Sequence, residues 1–341
     1  MIIEPRGELV ALVKCLLIGK GNLMASAAFA ESSNQPRRVV DVLKTAVASG
    51  SIADLNWGGS LVDYKIIASS FIEGLRNVSV FDRMLPDMKK LPLATRIVIS
   101  TAVAGANTAS EGTPRPVKKL SLAAGMLEPV QAAAIIVISQ ELAASAASGS
   151  QQLLSSELRA AVAAATDVAF INIVTDSIVA ITSAGPDADD VRTDLAALLS
   201  AITIGANAKL YLLMTPEIAK ALAVMSTATG DAAFEMTPTG GTICGLTALV
   251  SDEVADGTMI LIDAAQIAVG DAGMTLDASN EATLEFNDAP DDPSTAGTVM
   301  QSLWQRNLTG LRAVRWFGAE RLRASAVAVV EDVQYGEVGS P

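Results

Sequence analysis

The chain has 341 residues, a formal net charge of −13 from 24 Lys and Arg against 37 Asp and Glu, two cysteines and no histidine. The acidic balance argues against gripping nucleic acid through clustered cations, and the missing imidazole excludes Ser-His-Asp and Cys-His catalysis, histidine-ligated zinc and histidine proton relays. Hydrophobic residues make up 50% but aromatics only 4%, so much of the apolar content is alanine, which favours flat helix packing over deep pockets.

Residues 1–60 read as an N-terminal arm. Inside it, Leu9–Gly19 is an apolar run and Ala28-Phe29-Ala30 resembles a small-residue cleavage site, the outline of a secretory signal. Glu4 and Glu8 occupy the region that a signal needs basic, and Lys14 interrupts the run, so the segment reads as retained; it is also too short to cross a membrane. Pro36–Ser49 predicts a short helix through Val39, Val40, Leu43 and Val47, and 50–60 a connection. Leu61–Leu91 carries Ile66, Phe71, Ile72, Leu75, Val78 and Phe81 toward a core.

The next segment is the least like an ordinary domain. Arg96–Ser100 and Leu120–Ala124 are strand-like, and between them Thr101–Lys119 is rich in Ala, Thr, Gly and Pro. A loop of about twenty residues exceeds what a compact domain tolerates without a task. Its cations Arg96, Arg115, Lys118 and Lys119 outnumber Glu111 and Glu128 on a chain that is otherwise acidic. A basic arm on an acidic body predicts self-complementary copies.

Val130–Ser139 reads as a long strand. From Gln151 to about Asp176, Leu154, Leu158, Val162, Ala165, Ala169 and Ile173 recur at three- and four-residue spacing, which predicts a helix spanning on the order of 38 Å. Compact α/β alternation follows: a helix over Asp190–Ile202, a buried strand over Lys209–Met214, and a helix over Thr215–Ser226 capped by Thr215 with Pro216 in its first turn. Leu246–Val250 and Met259–Asp263 supply two more strands. Extended structure returns at Thr283–Phe286. Ser302–Val330 then alternates around Trp304, Leu308, Leu311, Val314 and Trp316, with Arg306, Arg312, Arg315, Arg321 and Arg323 read as strand residues facing acidic neighbours.

Candidate chemistry is weak. Gly240–Gly245 lacks the Lys-Ser/Thr ending of a phosphate loop. Asp187, Asp189, Asp190 and Asp194 lack the glycine and terminal Glu of a calcium loop and read as a solvated acidic turn. Cys15 and Cys244 read as reduced structural thiols. Neither a catalytic residue nor a cofactor or metal site is expected.

The order of elements resembles the tailed-bacteriophage major capsid proteins with the Hong Kong 97-type fold, over about Ser51–Tyr335. The phrases that carry the resemblance are Ser110-Glu111-Gly112-Thr113 with Lys118-Lys119, Leu213-Met214-Thr215-Pro216-Glu217, and Trp316-Phe317-Gly318. The resemblance implies an α+β fold: an N-terminal arm (1–60), the start of a peripheral domain (61–90), an extended β-hairpin loop (91–129), the peripheral domain with its spine helix (130–179), an α/β axial domain (180–275) and return strands (276–341). It implies a non-enzymatic role, with hexamers and pentamers of the chain closing an icosahedral virion shell around double-stranded DNA in the host cytoplasm. Portal, scaffold and decoration proteins would be further partners, DNA would be held without sequence-specific binding, and no membrane would be involved. Subunit-contact candidates are Arg96, Glu111, Arg115, Lys118, Lys119, Asp288, Asp291, Asp292, Arg306 and Arg312. The alternatives are an encapsulin-like nanocompartment within the same fold and, from another class, a small-molecule α/β enzyme acting through Asp, Lys or Ser.

Overall fold

The computed structural model describes residues 5–20, 22–43, 75, 79–100, 122–141, 148–226, 233–287, 290–295 and 297–336. It is an α+β chain that divides into two units, one of Met1–Val78, Gln131–Ala165 and Gly273–Arg315, the other of Ser79–Val130, Thr166–Ala272 and Trp316–Pro341.

In the first unit the apolar N-terminal run forms a helix, α1 (Pro5–Ile18), followed by α2 (Leu23–Ser32) and α3 (Arg37–Leu43). Its signal-like composition has a packing cause. Leu12, Val13, Cys15, Leu16 and Leu17 are buried together with Ala30, Val39 and Leu43. Burial pushes the Cys15 thiol up to about 11, so it stays protonated and behaves as a small apolar side chain. Asn22 starts α2 by accepting from the backbone N–H of Met24 (3.0 Å) and Ala25 (3.3 Å). The same core takes Ala134 and Ile138 from β4 (Val130–Ser139), Leu158 and Val162 from the long helix, Met274 and Leu276 from β11 (Ile267–Ser279), and Leu311 and Ala313 from β14 (Leu308–Arg321). A two-stranded ribbon, β12 (Thr283–Glu285) with β13 (Met300–Ser302), completes the unit.

The second unit is built on a seven-stranded sheet in the order β5-β15-β10-β6-β9-β8-β7. These strands are β5 (Ile181–Thr182), β6 (Leu210–Met214), β7 (Met236–Thr237), β8 (Gly240–Ile243), β9 (Leu246–Val250), β10 (Met259–Asp263) and β15 (Val327–Glu331). Every residue of β10 is buried, because it lies between antiparallel β6 and β15 with both faces covered. Leu212, Met214, Leu261 and Val330 pack with Val191, Leu195 and Leu198 of one helix (Ala188–Ala201) and Ile218 and Leu222 of another (Pro216–Val224), while Leu213, Ile260 and Ile262 fill the opposite side. Thr215 caps the second helix through the Ile218 N–H (3.4 Å), as its sequence predicts. The hairpin β8–β9 turns through Cys244 (φ 49°) and Gly245 (φ 81°), the paired positive φ of a tight two-residue turn, so the glycine-rich run is a sheet corner and not a phosphate cradle.

Two expectations change here. β3 (Leu122–Met126) runs two residues beyond the end of the predicted Leu120–Ala124, whereas β2 (Arg96–Ser100) and β4 fall on their predicted ranges. Asp194 does not belong to a solvated turn. It is 2% exposed and accepts from Ser183 Oγ (2.6 Å), the Ala184 N–H (2.8 Å) and the Tyr335 hydroxyl (2.6 Å), and so holds the chain's last described residues to the helix. Trp304, one of the apolar positions of the alternating Ser302–Val330 stretch, is 72% exposed.

Candidate self-association surfaces

The segment leading into the hairpin is anchored within the second unit. Asp167, 2% exposed on the long helix α5 (Ser148–Thr175, 28 residues; α4 is Val80–Met84), accepts from Ser79 Oγ (2.7 Å) and from the N–H groups of Val80 (2.9 Å) and Phe81 (3.0 Å) at the start of α4. Burial, only partly offset by these donors, pushes the Asp167 carboxyl up to about 6. Phe81 packs its ring 5.1 Å from both Phe170 and Phe317. This anchoring also explains why Ser155–Thr175 is apolar enough to cross a membrane by composition: Leu158, Val162, Phe170 and Val174 are interior side chains.

The hairpin root then crosses two bare backbones. A Cβ on Gly318 of β14 would stand 2.4 Å from the Glu128 carbonyl oxygen and 3.0 Å from Leu93 Cδ2; one on Gly270 of β11 would stand 2.9 Å from the Leu91 carbonyl oxygen and 2.7 Å from Leu93 Cδ2. Only glycine lets residues 91–93 and 127–128 lie this close. Backbone bonds from Leu91 N to Val269 O (2.8 Å), Ala94 N to Leu127 O (2.9 Å) and Leu127 N to Thr95 O (3.1 Å) tie the root down. Beyond it, β2 and β3 pair antiparallel from Arg96↔Met126 to Ser100↔Leu122 and form a two-stranded sheet of their own. Arg96 and Met126 are exposed. Glu111, Arg115, Lys118 and Lys119 lie outside the described residues.

In the first unit Arg312 Nη2 sits 3.0 Å from Asp277 Oδ2, with both side chains more than half exposed, so Arg312 has its acidic partner within the chain. Asp291 and Asp292 are exposed. Asp291 accepts from Thr298 Oγ1 (2.5 Å), and its N–H donates to Glu285 (3.0 Å). Asp288 lies outside the described residues. Arg306 is exposed in the turn that carries Trp304. Of the other arginines, Arg321 donates to the Asp176 carbonyl (2.7 Å) and Arg315 is fully buried. The structure therefore pairs Arg312 with Asp277 and Asp291 with its own loop, and among the described candidates it gathers no single site.

Apolar exposure is what sequence reasoning missed. Phe286 (46%), Val299 (69%), Met300 (51%) and Trp304 stand out around the β12–β13 ribbon, beside a cavity of about 250 Å³ lined by Ile135, Ala282, Leu284, Leu303 and Gly310. Their alternation suits a core equally well, so only the fold reveals that they face outward. Among the described residues no group of three or more His, Cys, Asp or Glu could hold a metal ion.

Residues 58–332 match the phage capsid family. The capsid polyprotein of Pseudomonas phage PAJU2 is 32% identical over 365 residues, covering 98% of this chain; the chain spans about half (55%) of that relative's length. Among solved structures, the capsid of an empty GTA particle computed with C5 symmetry aligns with 90% of this chain and 98% of its own at a TM-score of 0.51 and 13% identity. A Mycobacterium phage Adephagia chain aligns with 76% and 91% at a TM-score of 0.50 and 16% identity. With a family match running over most of its length, from the residues that precede the hairpin to those that follow β15, the chain belongs to the phage capsid family.

Proposed function

We propose that the chain is a structural shell protein: copies assemble as hexamers and pentamers into an icosahedral phage head that encloses double-stranded DNA without sequence-specific contacts, in the host cytoplasm. Residues 91–129 act as the extended loop, 130–179 as the peripheral domain with its spine helix, 180–275 as the axial domain and 276–341 as the returning strands. No catalysis is required of it, and scaffold, portal and decoration proteins are its further partners.

The observation that carries this reading is the β2–β3 ribbon. Two strands alone are marginal in water, yet this pair has a root held by Asp167, the phenylalanine cluster and the glycine crossings. A rigidly launched ribbon that pairs with no other strand among the described residues suits a neighbouring copy as its support. Family membership favours the same role. Negative-stain electron microscopy of the purified protein tests it: closed particles of uniform size are expected, and a species that remains monomeric at all concentrations refutes it.

A further inference from the structure

The second unit carries a cation cluster that the sequence did not single out. Arg83 lies in the last turn of α4 and is exposed, Asp87 follows about one turn later, and Lys89 and Lys90 form the edge strand β1, where both side chains are exposed. From far along the chain, the start of β6 brings Lys209 Nζ to 4.0 Å from Asp87 Oδ1 and the Tyr211 hydroxyl to 2.5 Å from Asp87 Oδ2. Burial and Asp87 push the Tyr211 hydroxyl up to about 12 while Arg83 opposes the shift, so Arg83 belongs to the same neighbourhood. Lys209 thus meets Asp87 with Arg83 in the same neighbourhood, and Lys89 and Lys90 follow Asp87 within three residues, on a chain of net charge −13. Lysines on an edge strand discourage strand addition, which accounts for Lys89 and Lys90 but leaves Arg83 and Lys209 unexplained.

The complementary feature lies in the first unit. Residues 281–299 contain Glu281, Glu285, Asp288, Asp291 and Asp292 and no Lys or Arg. The loop after β12 has its own internal order, because Glu285 accepts from the Asp291 N–H and Asp291 from Thr298 Oγ1. We propose that the cluster of Arg83, Lys89, Lys90 and Lys209 receives the acidic loop after β12 of a second copy of this chain. Two different surfaces meet in this contact, so it is head-to-tail and propagates around a ring. It rests on the shell reading above and names one of the contacts that shell would use. Duplex phosphate is the less suitable partner, since it would meet the acidic remainder of the chain.

The test is particle yield of the full chain, by sedimentation and electron microscopy at low salt, with folding of each variant checked by circular dichroism. Lys89→Glu with Lys90→Glu is expected to lower the yield about tenfold, because weak pairs repeated over many copies multiply. Asp291→Lys with Asp292→Lys is expected to do the same, and combining the two pairs to restore most of the loss. Should the loop variant misfold through loss of the Thr298 bond, Asp292→Lys alone and Lys89→Gln with Lys90→Gln give the same contrast. Unchanged yield in either single set, or a combination no better than its worse parent, overturns the proposal. So does normal assembly of the Lys variant with DNA retention alone reduced, which would assign the cluster to phosphate. If the wild-type chain forms no particles, it is the shell reading that fails.

Discussion

Asp167 combines two tasks in one side chain. It closes the start of α4, fixes where the chain departs for the hairpin, and does so from the interior of the long helix. Replacing it with Ala strands three buried donors and is expected to cost on the order of 3 kcal/mol, measured by denaturant unfolding. Its pH dependence has a definite sign. The folded-state carboxyl is raised from 3.8 to about 6, so the folded protein binds the proton more tightly than the unfolded chain does. This residue's contribution to stability is greatest below the unfolded value, falls as pH rises from about 4 to about 6, and is level above that. Asp167→Asn should remove that slope. The stability difference, wild type minus variant, is expected to shrink as pH rises through the window, and a difference independent of pH would refute the assignment. Asp194 is a contrasting case. Its three donors hold a buried carboxylate to the end of the chain, and burial with Asp194 nearby pushes the Tyr335 hydroxyl far above its ordinary value.

At the scale of elements, strands and helices with strong periodicity were legible. β4, β9 and β10 fall on their predicted ranges, as does the cap of the Pro216–Val224 helix, since each reflects a local pattern of apolar spacing or capping chemistry. Thr215→Ala is expected to lower the thermal midpoint by the equivalent of about 0.5–1 kcal/mol, the low end for a lost cap because the bond is long. Close crossings were not legible: Gly318 stood out in sequence only as part of a family phrase, while the structure supplies its physical cause at Glu128. Gly318→Ala should destabilise by about 1–3 kcal/mol through strain at the hairpin root, whereas Gly205→Ala, with nothing within 4 Å, serves as the neutral control in the same thermal melts. Equal midpoints for the two variants would refute the crossing's importance. The end of β3 lies two residues beyond its predicted range because an Ala- and Gly-rich strand carries little facial pattern, and its pairing with β2 sets the position.

For the whole molecule, charge is the guide to assembly. An acidic chain with basic segments can attract its own copies, and both the loop lysines and the Arg83–Lys209 cluster answer that description. Lys118→Glu with Lys119→Glu is expected to hinder particle formation while leaving the melting temperature unchanged, as the sequence reading of a polar basic loop predicts. Full particle yield from that variant, scored by electron microscopy, would refute the loop's part in assembly. Composition and periodicity by themselves determined the long helix, the alternating second half and the absence of histidine chemistry, because these depend on residue type and local spacing, and the resemblance of the element order to phage capsid proteins implied the α+β class. Only the tertiary structure decided that the N-terminal run is a packed helix, that Trp304 faces outward, and that Lys209 reaches Asp87. Burial and long-range proximity are properties of how distant segments meet, and no local pattern encodes them.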